Sequence, residues 1–106
     1  MELARVHGEQ GHLAYALRLL GEVHSRESAA GAEPAAGFYR QAQERAQELG
    51  MRPLLGHCEL GLGTLHARLG RLPEAREHLL GAVTLFLETG MQLWLERAES
   101  ALRGPG

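Results

Sequence analysis

The chain has 106 residues, 44% of them apolar and 23% charged, with a formal net charge of -2 at pH 7; this is the composition of one small globular domain that buries about two thirds of its unfolded surface. The charge gives no broad basic face for nucleic acid or an anionic membrane, and no apolar run nears the roughly 20 residues that span a bilayer. The lone Cys58 cannot close an internal disulfide, and the acidic N-terminal stretch lacks a signal-peptide layout, so the expected setting is the cytoplasm.

Taken in chain order, Glu2 to His7 read as the tail of an earlier helix ended by Gly8. A first full helix is expected at 11–28, where Leu13, Ala16, Leu17, Leu20 and Val23 form one stripe at three- and four-residue steps. The run from Ser28 to Pro34 (SAAGAEP) reads as a loop, followed by a helix at 34–49 that stops at Gly50, a left-handed C-cap. A third helix at 52–69 carries the stripe Leu55, Cys58, Leu62 and Leu65; Gly70 then opens a turn before Pro73, which starts a helix at 73–89. Gly90 ends that helix, and a fifth runs over 91–103. No segment alternates with the period of a strand. The expectation is an all-α domain over residues 1–106, with five helices.

The chain repeats itself. Glu48-Leu49-Gly50-Met51 returns forty residues later as Glu88-Thr89-Gly90-Met91. At the same offset Ala35, Tyr39 and Ala42 match Ala75, Leu79 and Ala82, while Leu54, Leu55 and Cys58 match Trp94, Leu95 and Ala98. Upstream, the stretch from Leu20 to Arg26 matches Leu62 to Arg68 at an offset of forty-two, so the SAAGAEP loop carries two extra residues.

These positions resemble the tetratricopeptide repeat, which places a large residue, Leu-Gly and an aromatic on a first helix and Ala-x3-aromatic and Ala on a second. One unit has Leu17, Leu20, Gly21, His24, Ala35, Tyr39 and Ala42; the next has Leu62, Gly63, His66, Gly70, Ala75, Leu79 and Ala82. Glu59 replaces the large residue of the second unit, His24 and His66 take the aromatic slots, and the closing proline is absent from both. The resemblance implies an antiparallel helix-pair solenoid of about two and a half repeats. In it Gly21 and Gly63 admit the neighbouring helix closely, Ala42 and Ala82 make room for it, and Trp94 joins the packing stripe of the last helix. Strings such as ALRLLGEVHSR and ELGMRPLLGHCELGLGTLHARLGRLPEAREHL also resemble the C-terminal repeat regions of bacterial adenylate-cyclase-like and ATPase-containing signalling regulators. That likeness, over nearly the whole chain, implies a docking arm of such a protein.

Chemistry is sparse. No His-His or His-Cys pair has the three- or four-residue spacing of helical metal ligands, so no metal and no cofactor are expected. Cys58 reads as a small buried hydrophobe, and Gly61-Leu62-Gly63 lacks the preceding strand of a phosphate loop. The stretch LHARLGRLPEAREHL has a helix-turn-helix outline, but its second helix carries Glu74 and Glu77 beside one early Arg76, which disfavours DNA. Glu74/Glu77 and Glu96/Glu99 read as solvated pairs, so no enzyme is expected.

Stacked helix pairs make a concave face lined by their first helices, which implies a protein or peptide groove. Its expected residues are Tyr15, Arg18, Glu22 and Arg26 from one unit, His57, Leu60, Thr64 and Arg68 from the next, and Arg97 on the last helix. Arginine forks there suit an acidic peptide or a terminal carboxylate. The last helix reads as a cap, whereas helix 11–28 has no cap before it. Homodimerisation, or service as a structural arm of a larger assembly, is the second expectation.

Overall fold

The structure, a computed structural model, describes residues 2–26 and 31–104. Five α-helices follow one another: α1 (Glu2–Ser25), α2 (Ala32–Leu49), α3 (Arg52–Arg68), α4 (Leu72–Glu88) and α5 (Gln92–Arg103). No strand occurs among the described residues, and the fold is all-α. Each helix packs chiefly on its neighbours in sequence, and α1 also touches α3, which is the packing order of a helical repeat. The body measures 50 × 32 × 19 Å.

Short turns set this order, and three of them are built alike. Gly50, Gly70 and Gly90 have φ of 68°, 77° and 70°, a conformation that costs a residue with a Cβ but not glycine. The amide after each glycine reaches back into the helix just ended: Met51 N–H donates to the Ala46 carbonyl (2.8 Å), Arg71 to His66 (2.9 Å) and Met91 to Phe86 (2.9 Å). The glycine amides donate to Gln47, Ala67 and Leu87, completing a Schellman motif at each junction. Met51, Arg71 and Met91 then take φ near -84° to -90° and ψ of 70–77°, an inverse γ-turn that restarts the chain in the opposite direction. Pro53 and Pro73 follow in the first helical turn, where a missing N–H goes unnoticed.

The core divides along the stack. Ala14, Leu17, Ala42, Ala46, Leu54 and Cys58 join α1, α2 and α3; Ala32, Ala35, Ala36, Tyr39, Leu62 and Leu65 join α2 to α3; Ala82, Phe86, Leu95 and Ala98 join α4 to α5. Ala75 and Leu79 are also buried. The two halves of the repeat show one seat twice. A Cβ on Gly21 would meet the Tyr39 ring at 3.1 Å, and one on Gly63 would meet Leu79 Cγ at 2.6 Å. Glycine on the first helix of each pair is therefore what lets the second helix settle.

Three expectations need correction. Gly8 does not end a helix: α1 runs unbroken through it, since a glycine inside a helix costs only about 1 kcal/mol and no left-handed cap forms there. Helix α1 stops at Ser25, not 28, and α2 begins at Ala32, not 34. Residues 27–30 of the expected loop lie outside the described residues. Leu20, expected to pack, is 42% exposed although its repeat equivalent Leu62 is 1% exposed, because no other described helix packs over that side of α1.

Candidate functional site

Helices α1, α3 and α5 lie on one side of the stack, where their facing side chains enclose a cleft of about 210 Å³. Seven of the nine residues expected in the groove line it: Arg18, Glu22, Arg26, His57, Leu60, Thr64 and Arg68. Tyr15 is exposed outside the lining, and Arg97 stands 4.7 Å over the Trp94 ring, just beyond the rim. The lining also includes Ser25, Tyr39, Gly61, Leu65 and Trp94. Of these, Tyr39, Leu65 and Trp94 carried only a packing expectation.

Tyr39 reaches the cleft floor from α2 because two glycines leave it room. A Cβ on Gly61 would lie 2.4 Å from Tyr39 Cε1, and Gly21 faces the same ring from α1. Burial raises the Tyr39 phenol above its ordinary pKa, against the opposing influence of the Ser25 hydroxyl. The signal was present in the sequence: glycine at a mid-helix position with no turn to make marks a close approach.

One end of the cleft is basic and fixed. Arg18 Nη2 donates to Glu22 Oε1 (2.8 Å), one helical turn along, and Ser25 Oγ donates to the Glu22 carbonyl (2.9 Å). Arg68 Nη1 donates to the Ser25 carbonyl, tying the C-terminal end of α3 to that of α1. Arg18 Nε is buried without a hydrogen-bond partner. The lining holds three arginines and one glutamate, in a chain whose net charge is -2.

The other end is aromatic. The His57 ring meets Trp94 edge-on at 4.4 Å and Phe86 at 5.2 Å. Burial, and after it the Arg18 charge, lowers His57 from 6.5 to about 4, so the imidazole is neutral at physiological pH, and its buried Nδ1 has no hydrogen-bond partner. Two orphaned polar atoms, on Arg18 and His57, thus belong to side chains that line one cavity, each buried at a desolvation cost. The neighbouring Cys58 thiol is fully buried and pushed up to about 12 by desolvation. It is the reverse of an activated nucleophile.

A second polar cluster lies behind the cleft. Glu59 accepts from Gln43 Nε2, with His78 Nδ1 3.4 Å from both of its oxygens. His78 stacks on His66 at 5.3 Å, as His24 does on Phe38 at 5.2 Å. Burial is the main cause lowering the His66 pKa, and the His78 ring adds to it. No group of three His, Cys, Asp or Glu among the described residues is arranged to hold a metal ion, and no helix among them is long and apolar enough to cross a membrane. Comparison with protein-family profiles, curated proteins and solved structures finds no match.

Proposed function

We propose that this chain is a tetratricopeptide-type module that binds another protein, taking an acidic or carboxylate-terminated segment into the α1–α3–α5 cleft. The observation that carries the reading is the convergence of Arg18, Arg26 and Arg68 on one concavity beside an aromatic wall. A guanidinium fork grips a carboxylate with two parallel hydrogen bonds. The Trp94 and His57 edges and Leu60 give an apolar side chain of the guest a place to bury. Catalysis is not part of the proposal: a His57 held near 4 is a weak base, and Cys58 is held protonated. Service as an arm of a bacterial signalling regulator follows from the family resemblance alone, and a cytoplasmic setting from the lone cysteine and the acidic N-terminal stretch.

Trp94 is the only tryptophan and lines the cleft, so its fluorescence reports occupancy directly. The test titrates a panel of acidic peptides with free or amidated C-termini at low and moderate salt. Binding should weaken with salt and be lost in the R18E/R68E double variant while circular dichroism stays helical. Unchanged binding in that variant, or none by any acidic peptide in the native chain, removes the cleft as the site.

A further inference from the structure

The helices give the cleft a length. On α3 its lining runs from His57 to Arg68, eleven residues along the helix, which is about 16 Å at about 1.5 Å per residue. The two ends differ in kind. At one, His57 meets Trp94 edge-on at 4.4 Å, with Leu60 a turn further along α3. At the other, Arg68 Nη1 donates to the Ser25 carbonyl, which brings Arg68 to the end of α1, where Arg26 follows. Between them Glu22 answers the Arg18 charge at 2.8 Å, so the surplus positive charge of the lining lies at the Arg26–Arg68 end.

The cleft is also narrow. A dry cavity of about 150 Å³ holds one benzene ring, so about 210 Å³ takes one ring and little more. A helix, about 10–12 Å across with its side chains, cannot enter. What fits is a pair of side chains from a segment that runs extended along the mouth.

Building on the proposed function, we infer that the guest is read by two side chains four residues apart, a large apolar one at the His57–Trp94 end and a carboxylate at the Arg26–Arg68 end. Side chains that enter one cleft from an extended segment leave the same face of it, so their separation is an even number of residues. The carboxylate stands about 2.8 Å inside the guanidinium that it pairs with, which leaves about 13 Å of the length to span. At about 3.3 Å per residue a separation of two reaches only about 7 Å, six overshoots at about 20 Å, and four covers about 13 Å.

The test titrates the full chain, followed by Trp94 fluorescence, with acetylated and amidated peptides that carry one Phe and one Glu in a Gly/Ser background, two to six residues apart and in both orders. A separation of four should bind on the order of tenfold more tightly than three or five, which turn one side chain away, and more tightly than two or six. In R68Q, which removes the charge at one end, the series should level out. A flat series, or a maximum at another separation, overturns the inference and leaves the cleft reading standing. Binding confined to peptides with a free C-terminus does the same, since the anion is then the terminal carboxylate. A maximum at four that survives R68Q overturns the assignment of the two ends. If neither these peptides nor any other acidic peptide binds, the cleft is not the site and the spacing falls with it.

Discussion

Tyr39 sits between two glycines, and the consequence can be measured as a change of sign. Gly61 and Gly37 both lie inside helices, so replacing either by alanine gains about 0.5–1 kcal/mol of helix propensity. Their surroundings differ. A Cβ on Gly37 meets nothing within 4 Å, whereas on Gly61 it falls 2.4 and 2.5 Å from two atoms of the Tyr39 ring, the same ring that a Cβ on Gly21 would meet at 3.1 Å. The ring is buried, at 3% exposure, so clearing the methyl means displacing it towards the cleft or straining its packing. Overpacking of this kind costs about 1–3 kcal/mol, and contacts this short belong in the upper half, leaving G61A destabilised by about 1–2 kcal/mol net. Chemical denaturation and thermal melting followed at 222 nm are the assays. At 4–8 °C per kcal/mol for a domain of this size, G61A should melt roughly 5–15 °C below the native chain and G37A a few degrees above it. Adding Tyr39→Leu to G61A should cost less than the two changes separately, since Leu79 fills the same place in the other unit. If G61A melts at or above the native temperature, the ring is not trapped and the account of the cleft floor is wrong.

Cys58, buried and pushed up to about 12, should be silent to a thiol reagent at pH 8 in the native chain and react fully in denaturant; rapid native labelling would show the α1–α3 core opening. Because the folded chain holds His57 near 4, below its ordinary 6.5, the unfolded chain takes up that proton first. Its contribution is therefore full above about pH 6.5 and is lost as pH falls towards 4. A shift of 2.5 units sets a ceiling of about 3 kcal/mol, which partial exposure reduces to roughly 1–2 kcal/mol; H57Q should remove that part of the slope between pH 7 and 4.5 in urea midpoints. Phe86→Ala empties a fully buried ring site between α3, α4 and α5 and should cost about 3–5 kcal/mol by the same melts.

The fold was legible because the residues that decide it are few and periodic. Gly50, Gly70 and Gly90, each with a positive φ, name the turns, and the apolar stripes between them name the helices. The start of the chain misled because Gly8 looks like Gly50 in sequence, yet Gly8 lies inside a continuous helix while the amides after Gly50, Gly70 and Gly90 find a carbonyl five residues back. Seven groove positions came together because they share one face of α1 and α3, which helical period alone fixes. Tyr39 and Trp94 escaped assignment to the cleft because a residue can pack and line a cavity at once, and which it does depends on neighbours brought in from other helices. The bond from Arg68 to the Ser25 carbonyl was beyond reach for the same reason.

The backbone repeats at half the period of the sequence. The same Schellman and inverse γ-turn pairing joins α2 to α3, α3 to α4 and α4 to α5, so the turns alone do not distinguish a junction within a pair from one between pairs. Side chains make that distinction. First helices carry two faces, an apolar stripe for the helix before and a small-residue seat for the helix after: Ala14 and Gly21 on α1, Gly56 and Gly63 on α3. Either face can be withheld. Helix α5 keeps the stripe and carries Glu96 and Arg103 at the seat positions, while α1 keeps the seat and exposes the stripe. Uniform turns therefore leave the choice of neighbour to a few side chains, and changing Glu96 and Arg103 to glycine should give α5 the small-residue seat that Gly56 and Gly63 make on α3.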